Sequence, residues 1–418
     1  MVAIHYDFQK DVPTFIGEIR KPKQNFVIPV VFLLCLTGTF ALIILYLYHN
    51  EQLQSLRIKT RNAVPTRLVC YYNFPGTNDL QPKDIDAFLC THIIVGFLNV
   101  NTSHEIGVSE TQVEILQRVN DLKVKNPHLK VLVSVGGAGN TKGWSGMVSN
   151  HINRKRFIKS TRIFLKNYEL DGIDLDWEYP NDLGVNNKER IHFTQLLEEF
   201  RSHINRNSYK FLLSVAVPSS SFRVDISYQV NYLNQFTDFV NLMSYDFHFF
   251  SNLTPFTGLN APLLRSSLDN GIFASLNIND TVNYYLEKGM DKNKINVGLP
   301  TYGHTFTLFN EYNNGLYSPA RGYGSVGFKG FATYPEICKF LKANRIRRYF
   351  DSITKSPYAT KGLEWISFDD DNSLALKVQF LKEKGFGGIM TYSLNSDDYR
   401  GEYGNSFTLT KAVKSILE

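Results

Sequence analysis

Several things are scarce in this chain of 418 residues, and each scarcity narrows the reading. Cysteine occurs four times and histidine ten times, without zinc-like spacing, so no metal site is expected. Long basic runs and nucleic-acid motifs are absent although the net charge is +6. The surplus reads as solvated surface, and nucleic acid is not an expected partner. Internal repeats and low-complexity tracts are absent too. Tryptophan occurs only three times, at Trp144, Trp177 and Trp365, inside an aromatic fraction of 14% carried by 23 Tyr and 31 Phe. Large cores also use Phe, so that fraction alone assigns nothing.

Uncharged apolar runs are short, with one exception. Phe26 to Tyr48 is 23 residues long, enough to cross a bilayer as a helix. A cleavable signal peptide has a shorter apolar core and a small-residue cleavage site close behind it. Here Tyr46-Leu-Tyr-His-Asn50 follows instead, so the segment reads as an uncleaved signal anchor over residues 26–48. Arg20, Lys21 and Lys23 flank its N-terminal end, whereas Arg57 is the first basic residue beyond it. The positive-inside bias then predicts a single-pass type II protein: residues 1–25 cytoplasmic, 49–65 a stalk, and 66–418 extracellular or lumenal. The sequons at Asn101, Asn252 and Asn279 are compatible with glycosylation of a lumenal body.

Beyond the stalk, β-rich runs alternate with helical patterns. Candidate strands are Arg67–Tyr72, His92–Phe97, Lys130–Val135, Gly172–Asp176, Phe211–Ala216, Phe239–Ser244, Ile295–Leu299 and Gly388–Tyr392. Continuous apolar runs such as Val131-Leu-Val-Ser-Val135 suit parallel strands buried on both faces. Helical patterns at Glu110–Lys125, Arg154–Tyr168, Lys188–Asn207 and Asp280–Lys288 fall between them. The alternation predicts an α/β fold, a (β/α)8 TIM barrel. About 85 residues separate strands seven and eight, which predicts a small α+β insertion at about 303–360, beside the C-terminal face of the barrel. Cys70 and Cys90 fall near the starts of the first two strands and are expected to form a disulfide in an oxidising compartment. Cys338 is left without a partner, and Cys35 lies within the apolar span.

The densest chemistry is Asp171-Gly-Ile-Asp-Leu-Asp-Trp-Glu-Tyr-Pro180. On a strand, Asp174, Asp176 and Glu178 share one face, and Leu175 and Trp177 the other. Carboxylates crowded at the end of a barrel strand cannot all ionise near neutrality, so at least one holds a proton. Glu178, outermost, is best placed to donate one.

This segment resembles the catalytic motif of family 18 glycoside hydrolases, the chitinases and chitinase-like lectins. Ser134-Val-Gly-Gly137, Met243-Ser-Tyr-Asp-Phe-His248, Gly298-Leu-Pro-Thr-Tyr-Gly303 and Gly387-Gly-Ile-Met-Thr-Tyr392 are similar to further motifs of that family, in the same order. The resemblance covers about residues 67–400 and implies cofactor-free, substrate-assisted hydrolysis of N-acetylglucosamine glycans. It implies Glu178 as acid, Asp176 as the group orienting the substrate acetamide, Asp174 as its modulator and Tyr245 as a partner of the acetamide oxygen. Asp171, Met243, Asp246, Tyr302 and Tyr392 are the further substrate-binding positions.

Departures from the family pattern concern the cleft. Tyr392 stands where the family has its pocket-floor tryptophan, Ala138 where chitinases often carry another, and His304 where Arg is frequent. The first-strand loop Asn73-Phe-Pro-Gly76 also lacks a tryptophan. Non-catalytic relatives commonly replace the glutamate or a neighbouring aspartate, and here both remain. The expected activity is hydrolysis of β-1,4-linked N-acetylglucosamine oligomers. The alternatives are a glycan-binding lectin and an endo-β-N-acetylglucosaminidase acting on N-glycan cores.

Overall fold

The computed structural model describes residues 44–51, 66–182, 184–185 and 187–418. Two compact units divide the chain, residues 1–63 and 64–418. In the first, only the exposed helix 44–51 is described, so most of the expected span at 26–48, the tail at 1–25 and most of the stalk at 49–65 lie outside the described residues. Among the described residues, no helix is long and apolar enough to cross a membrane.

The second unit is built on eight parallel strands: Arg67–Asn73, His92–Val100, Lys130–Gly136, Gly172–Asp176, Leu212–Pro218, Phe239–Met243, Ile295–Pro300 and Gly388–Tyr392. Each pairs with the next, and the eighth pairs with the first, which closes the barrel. The expected strands are all present, within a few residues at their ends. Runs such as Val131, Leu132 and Val133 are fully buried because helices cover the outside while side chains fill the interior. Burying each such side chain contributes about 1.5–3 kcal/mol.

Two helices start earlier than their apolar periodicity predicts. The patterns predicted from Arg154 and Asp280 begin earlier, at His151 and Ile278. Asn150 and Asn277 supply the reason: each side-chain oxygen accepts the backbone N–H three residues on, at 3.0 and 2.9 Å.

The insertion after the seventh strand begins at Tyr302–Leu308 and ends at Glu364–Ser367, a little wider than expected. It is an antiparallel sheet joined by one helix, Tyr334–Leu341. One apolar cluster gathers Phe306, Leu308 and Trp365, another Ile337, Ala359 and Ile366.

Cys70 and Cys90 are bonded, as expected. Closing a loop with a sequence separation of 20 is worth about 3 kcal/mol, mainly by restricting the unfolded chain. Cys338 is free and half-buried against Tyr334, and burial pushes its thiol up to about 11.

Candidate active site

The fourth strand carries the carboxylates inward at its C-terminal end. Register places Ser134 on the third strand and Ser214 on the fifth directly beside Asp174. The serine hydroxyls donate to Asp174 at 2.8 and 2.6 Å, the Tyr71 hydroxyl at 2.8 Å and the Asn241 amide at 3.1 Å. Burial pushes Asp174 above the ordinary carboxylate range, and these four bonds pull it only part of the way back, so the net shift is upward but smaller than burial alone would give. A carboxylate has about four lone-pair positions, so four donors leave no position for a proton.

Asp176 has the opposite environment. It is buried and sits well above the ordinary range through burial, then through the charges of Glu178 and Asp174. Its Oδ1 is buried without a hydrogen-bond partner among the described residues. The proton that three crowded carboxyls must retain therefore sits preferentially on Asp176. The backbone around it is closely packed: Gly137 N–H donates to the Asp176 carbonyl at 2.7 Å. Gly136 has φ +112°, and a Cβ there would lie 2.0 Å from that carbonyl oxygen, so glycine is required.

Glu178 is half-buried and faces an open cleft of about 470 Å³. Burial raises its pKa, a hydrogen bond with the Tyr179 hydroxyl lowers it, and the charge of Asp246 raises it again; the net shift is upward. A carboxyl held above its usual range is suited to act as a general acid near neutrality. Trp177, on the opposite face, stacks on Trp144 at 5.3 Å among the helices, as strand alternation requires.

The other expected residues divide into those that reach the cleft and one that does not. Met243, Tyr245, Asp246, Tyr302 and Tyr392 all line it with Asp176 and Glu178. Tyr392 and Tyr245 stack at 5.8 Å, and Tyr302 meets Tyr245 edge-on at 6.0 Å. Tyr245 presents its hydroxyl to the Met390 sulfur at 3.9 Å, a weak acceptor. Asp246 accepts from the Tyr302 hydroxyl at 2.5 Å and contacts His304 Nε2 at 2.7 Å.

Asp171 is not brought to the cleft. It precedes the fourth strand, accepts the Val131 N–H at 2.9 Å, and pairs with Lys123 and, at 3.2 Å, with Lys130. Its carboxylate anchors the N-terminal end of the strand, so its part is structural. The expectation of a substrate contact fails because Asp171 lies just before the strand, with Gly172 and Ile173 between it and Asp174, at the far end from Glu178.

Sequence reasoning missed Tyr71, Ser214 and Asn241, which serve Asp174 from other strands. It also missed Tyr179 and Arg223: the guanidinium lies over the Tyr179 ring at 5.1 Å, is bonded to Asp182, and lines the cleft. Ala138 and His304 line it as well. All three tryptophans are buried at 3% exposure or less, so none of them lines it. Of the sequon asparagines, Asn252 is exposed. Asn101 accepts the N–H groups of Ser103 and Glu105 at 2.9 and 3.0 Å, and Asn279 accepts from Lys384 at 3.0 Å.

Comparison with known proteins covers the same barrel. The sequence profile described as "Glycosyl hydrolases family 18" matches residues 67–397. The chain is 38% identical over 369 residues to human chitinase-3-like protein 2, covering 84% of this chain and 92% of that one. Mouse chitotriosidase-1 is also 38% identical over 369 residues, with 84% and 78% covered. Among solved structures, human YKL-39, described as a pseudo-chitinase with retained chitooligosaccharide binding, superposes with a TM-score of 0.78 at 36% identity, covering 84% of this chain and 99% of that one. The Group IV chitinase of Ostrinia furnacalis superposes with a TM-score of 0.79 at 31% identity, covering 84% and 99%. The relatives thus include both chitinases and a pseudo-chitinase, and on profile, identity and fold together this chain belongs to family 18 of the glycosyl hydrolases.

Proposed function

We propose that the chain hydrolyses β-1,4-linked N-acetylglucosamine oligomers with retention of configuration. The observation that carries this reading is the column Asp174, Asp176, Glu178, with the proton on Asp176 and Glu178 held above its usual range at the cleft. A pyranose seated on the Tyr392 ring is flanked by Asp176 and Tyr245. Its own acetamide oxygen attacks C1 while the Glu178 proton passes to the glycosidic oxygen, so the C1–O bond breaks and an oxazolinium forms. Asp176 accepts the acetamide N–H on its carbonyl oxygen and so orients the group, and Tyr245 steadies the attacking oxygen. Water then attacks C1 and gives a proton to Glu178, which restores the acid, while the bond from C1 to the acetamide oxygen breaks and the acetamide re-forms. The absence of any tryptophan from the cleft lining suits short or soluble oligomers rather than a polymer, because each lost ring contact removes about 0.5–1.5 kcal/mol of stacking.

The same absence supports a second reading, a lectin that binds such glycans without cutting them, as described for YKL-39. Incubation of the protein and its Glu178→Gln variant with fluorogenic chitobioside and chitotrioside separates the two. Release of fluorophore by the wild type alone supports hydrolysis. Oligomer binding without release by either protein supports the lectin.

The proposal extends to placement. Residues 26–48 anchor the chain as a type II membrane protein, with the barrel outside or in a lumen and glycans on Asn101, Asn252 and Asn279. A glycosidase-sensitive mass shift abolished by replacing these asparagines would support that topology, and an unmodified cytosolic barrel would refute it.

A further inference from the structure

The barrel interior carries polar side chains well below the cleft. Arg67, Gly388, Asn296 and Asn241 are consecutive partners in register on strands one, eight, seven and six. Asn241 and Asn296 are both fully buried. Arg67 Nε donates to Asn296 Oδ1 at 2.8 Å, Asn296 Nδ2 to Asn241 Oδ1 at 3.0 Å, and Asn241 Nδ2 to Asp174 Oδ1 at 3.1 Å and to the Tyr71 oxygen at 3.3 Å.

The direction of this chain follows from its first member. A guanidinium has donors only, so the Asn296 oxygen must face it and the Asn296 amide nitrogen must face onward. Asn241 is then forced to take that donor on its oxygen and to present its own nitrogen to Asp174 and Tyr71. With its oxygen accepting, Tyr71 has its O–H free for Asp174. Asp174 thus receives two donors whose orientation was set at Arg67, in addition to Ser134 and Ser214.

Gly388 makes the first link possible. It lies between Arg67 and Asn296 in register, and a Cβ there would sit 2.4 Å from Asn296 Oδ1 and 2.8 Å from the Arg67 Cβ. Arg67 is itself held by a bond to the Asn293 carbonyl at 2.6 Å and lies over the Phe239 ring at 5.2 Å.

We propose that Arg67, Asn296 and Asn241 are positioning residues, a one-way hydrogen-bond chain through the barrel interior that keeps Asp174 ionised and the column's proton on Asp176. The consequence for turnover rests on the hydrolytic reading above, but the proton's location does not. Around the column, the titratable and charged groups are Glu178, Asp246, the Arg223 guanidinium and the hydroxyls of Tyr71, Tyr179, Tyr228, Tyr245 and Tyr392, all five hydroxyls pushed above their ordinary range by burial and therefore neutral. Around Arg67 they are Asp238 and His92, and burial lowers the latter to about 4, so it is neutral too.

Asn296→Asp tests the direction. Its carboxylate accepts from Arg67 and from Asn241 alike, so Asn241 must turn its oxygen toward Asp174 and the proton moves there. Arg67→Lys, which keeps a donor-only group, serves as the conservative control, and thermal melts check that each variant folds. Difference infrared spectra of ¹³C-aspartate-labelled full-length protein read the proton directly. The expected result is a protonated-carboxyl band at neutral pH that disappears with Asp176→Asn in the wild-type background and with Asp174→Asn in the Asn296→Asp background. A band that depends on Asp176 in both backgrounds would overturn the proposal. In turnover, Asn296→Asp is expected to lose about 10- to 100-fold, the range for outer-shell partners. Its alkaline limb should move to higher pH, because an ionised Asp176 raises Glu178, while Arg67→Lys keeps the wild-type profile. A loss of rate with an unmoved limb would also contradict the proposal, whereas an inactive wild type with the expected infrared band would remove only the hydrolytic reading.

Discussion

The two ends of the fourth strand carry the same chemical group and put it to opposite uses. At the N-terminal end, Asp171 has two lysines and a backbone N–H as partners and is partly open to solvent. At the C-terminal end, Asp176 is buried beside two further carboxyls, with an oxygen that no donor among the described residues reaches. Environment rather than residue type separates a strand anchor from a proton store.

Four substitutions can break or sharpen that contrast. The largest effect is expected from Glu178→Gln, about a 10³-fold fall in kcat with oligomer affinity retained, read by turnover and calorimetry. Next comes Asp176→Asn, with about a 10²-fold fall in kcat. Its stability should move the other way. Asp176 has a raised folded pKa, so its favourable contribution is full below the unfolded carboxylate pKa and is lost as pH rises through the folded value. The asparagine variant should therefore lose the alkaline decline in stability and gain about 2 °C in Tm near neutrality. Tyr392→Trp is expected to tighten oligomer binding about three- to tenfold, the worth of a better ring face. Asp171→Asn should leave turnover unchanged and cost about 1 kcal/mol in denaturant unfolding, through its partly exposed ion pairs and one backbone bond.

The fold is largely legible because several buried parallel strands declare themselves as continuous apolar runs and the rest fall in the same alternation with helical patterns. Asp174, Asp176 and Glu178 were legible because strand period two places them on one face. The donors around Asp174 were not. Tyr71, Ser214 and Asn241 come from strands one, five and six, and only closure of the barrel brings them together. Arg67 and Asn296 read in sequence as an ordinary strand start and a polar interruption, and their role depends on the register across Gly388. Asp171 shares the motif of Glu178 but lies at the other end of the strand, so nearness in sequence does not bring it to the cleft.

The most direct test of the central claim is the anomeric form of the first product, followed by NMR as N-acetylglucosamine tetramer is added to the wild-type protein. The account predicts the β-anomer at early times, mutarotating afterwards, and no product with Glu178→Gln. Early α-anomer, or bound tetramer that stays intact, would contradict it.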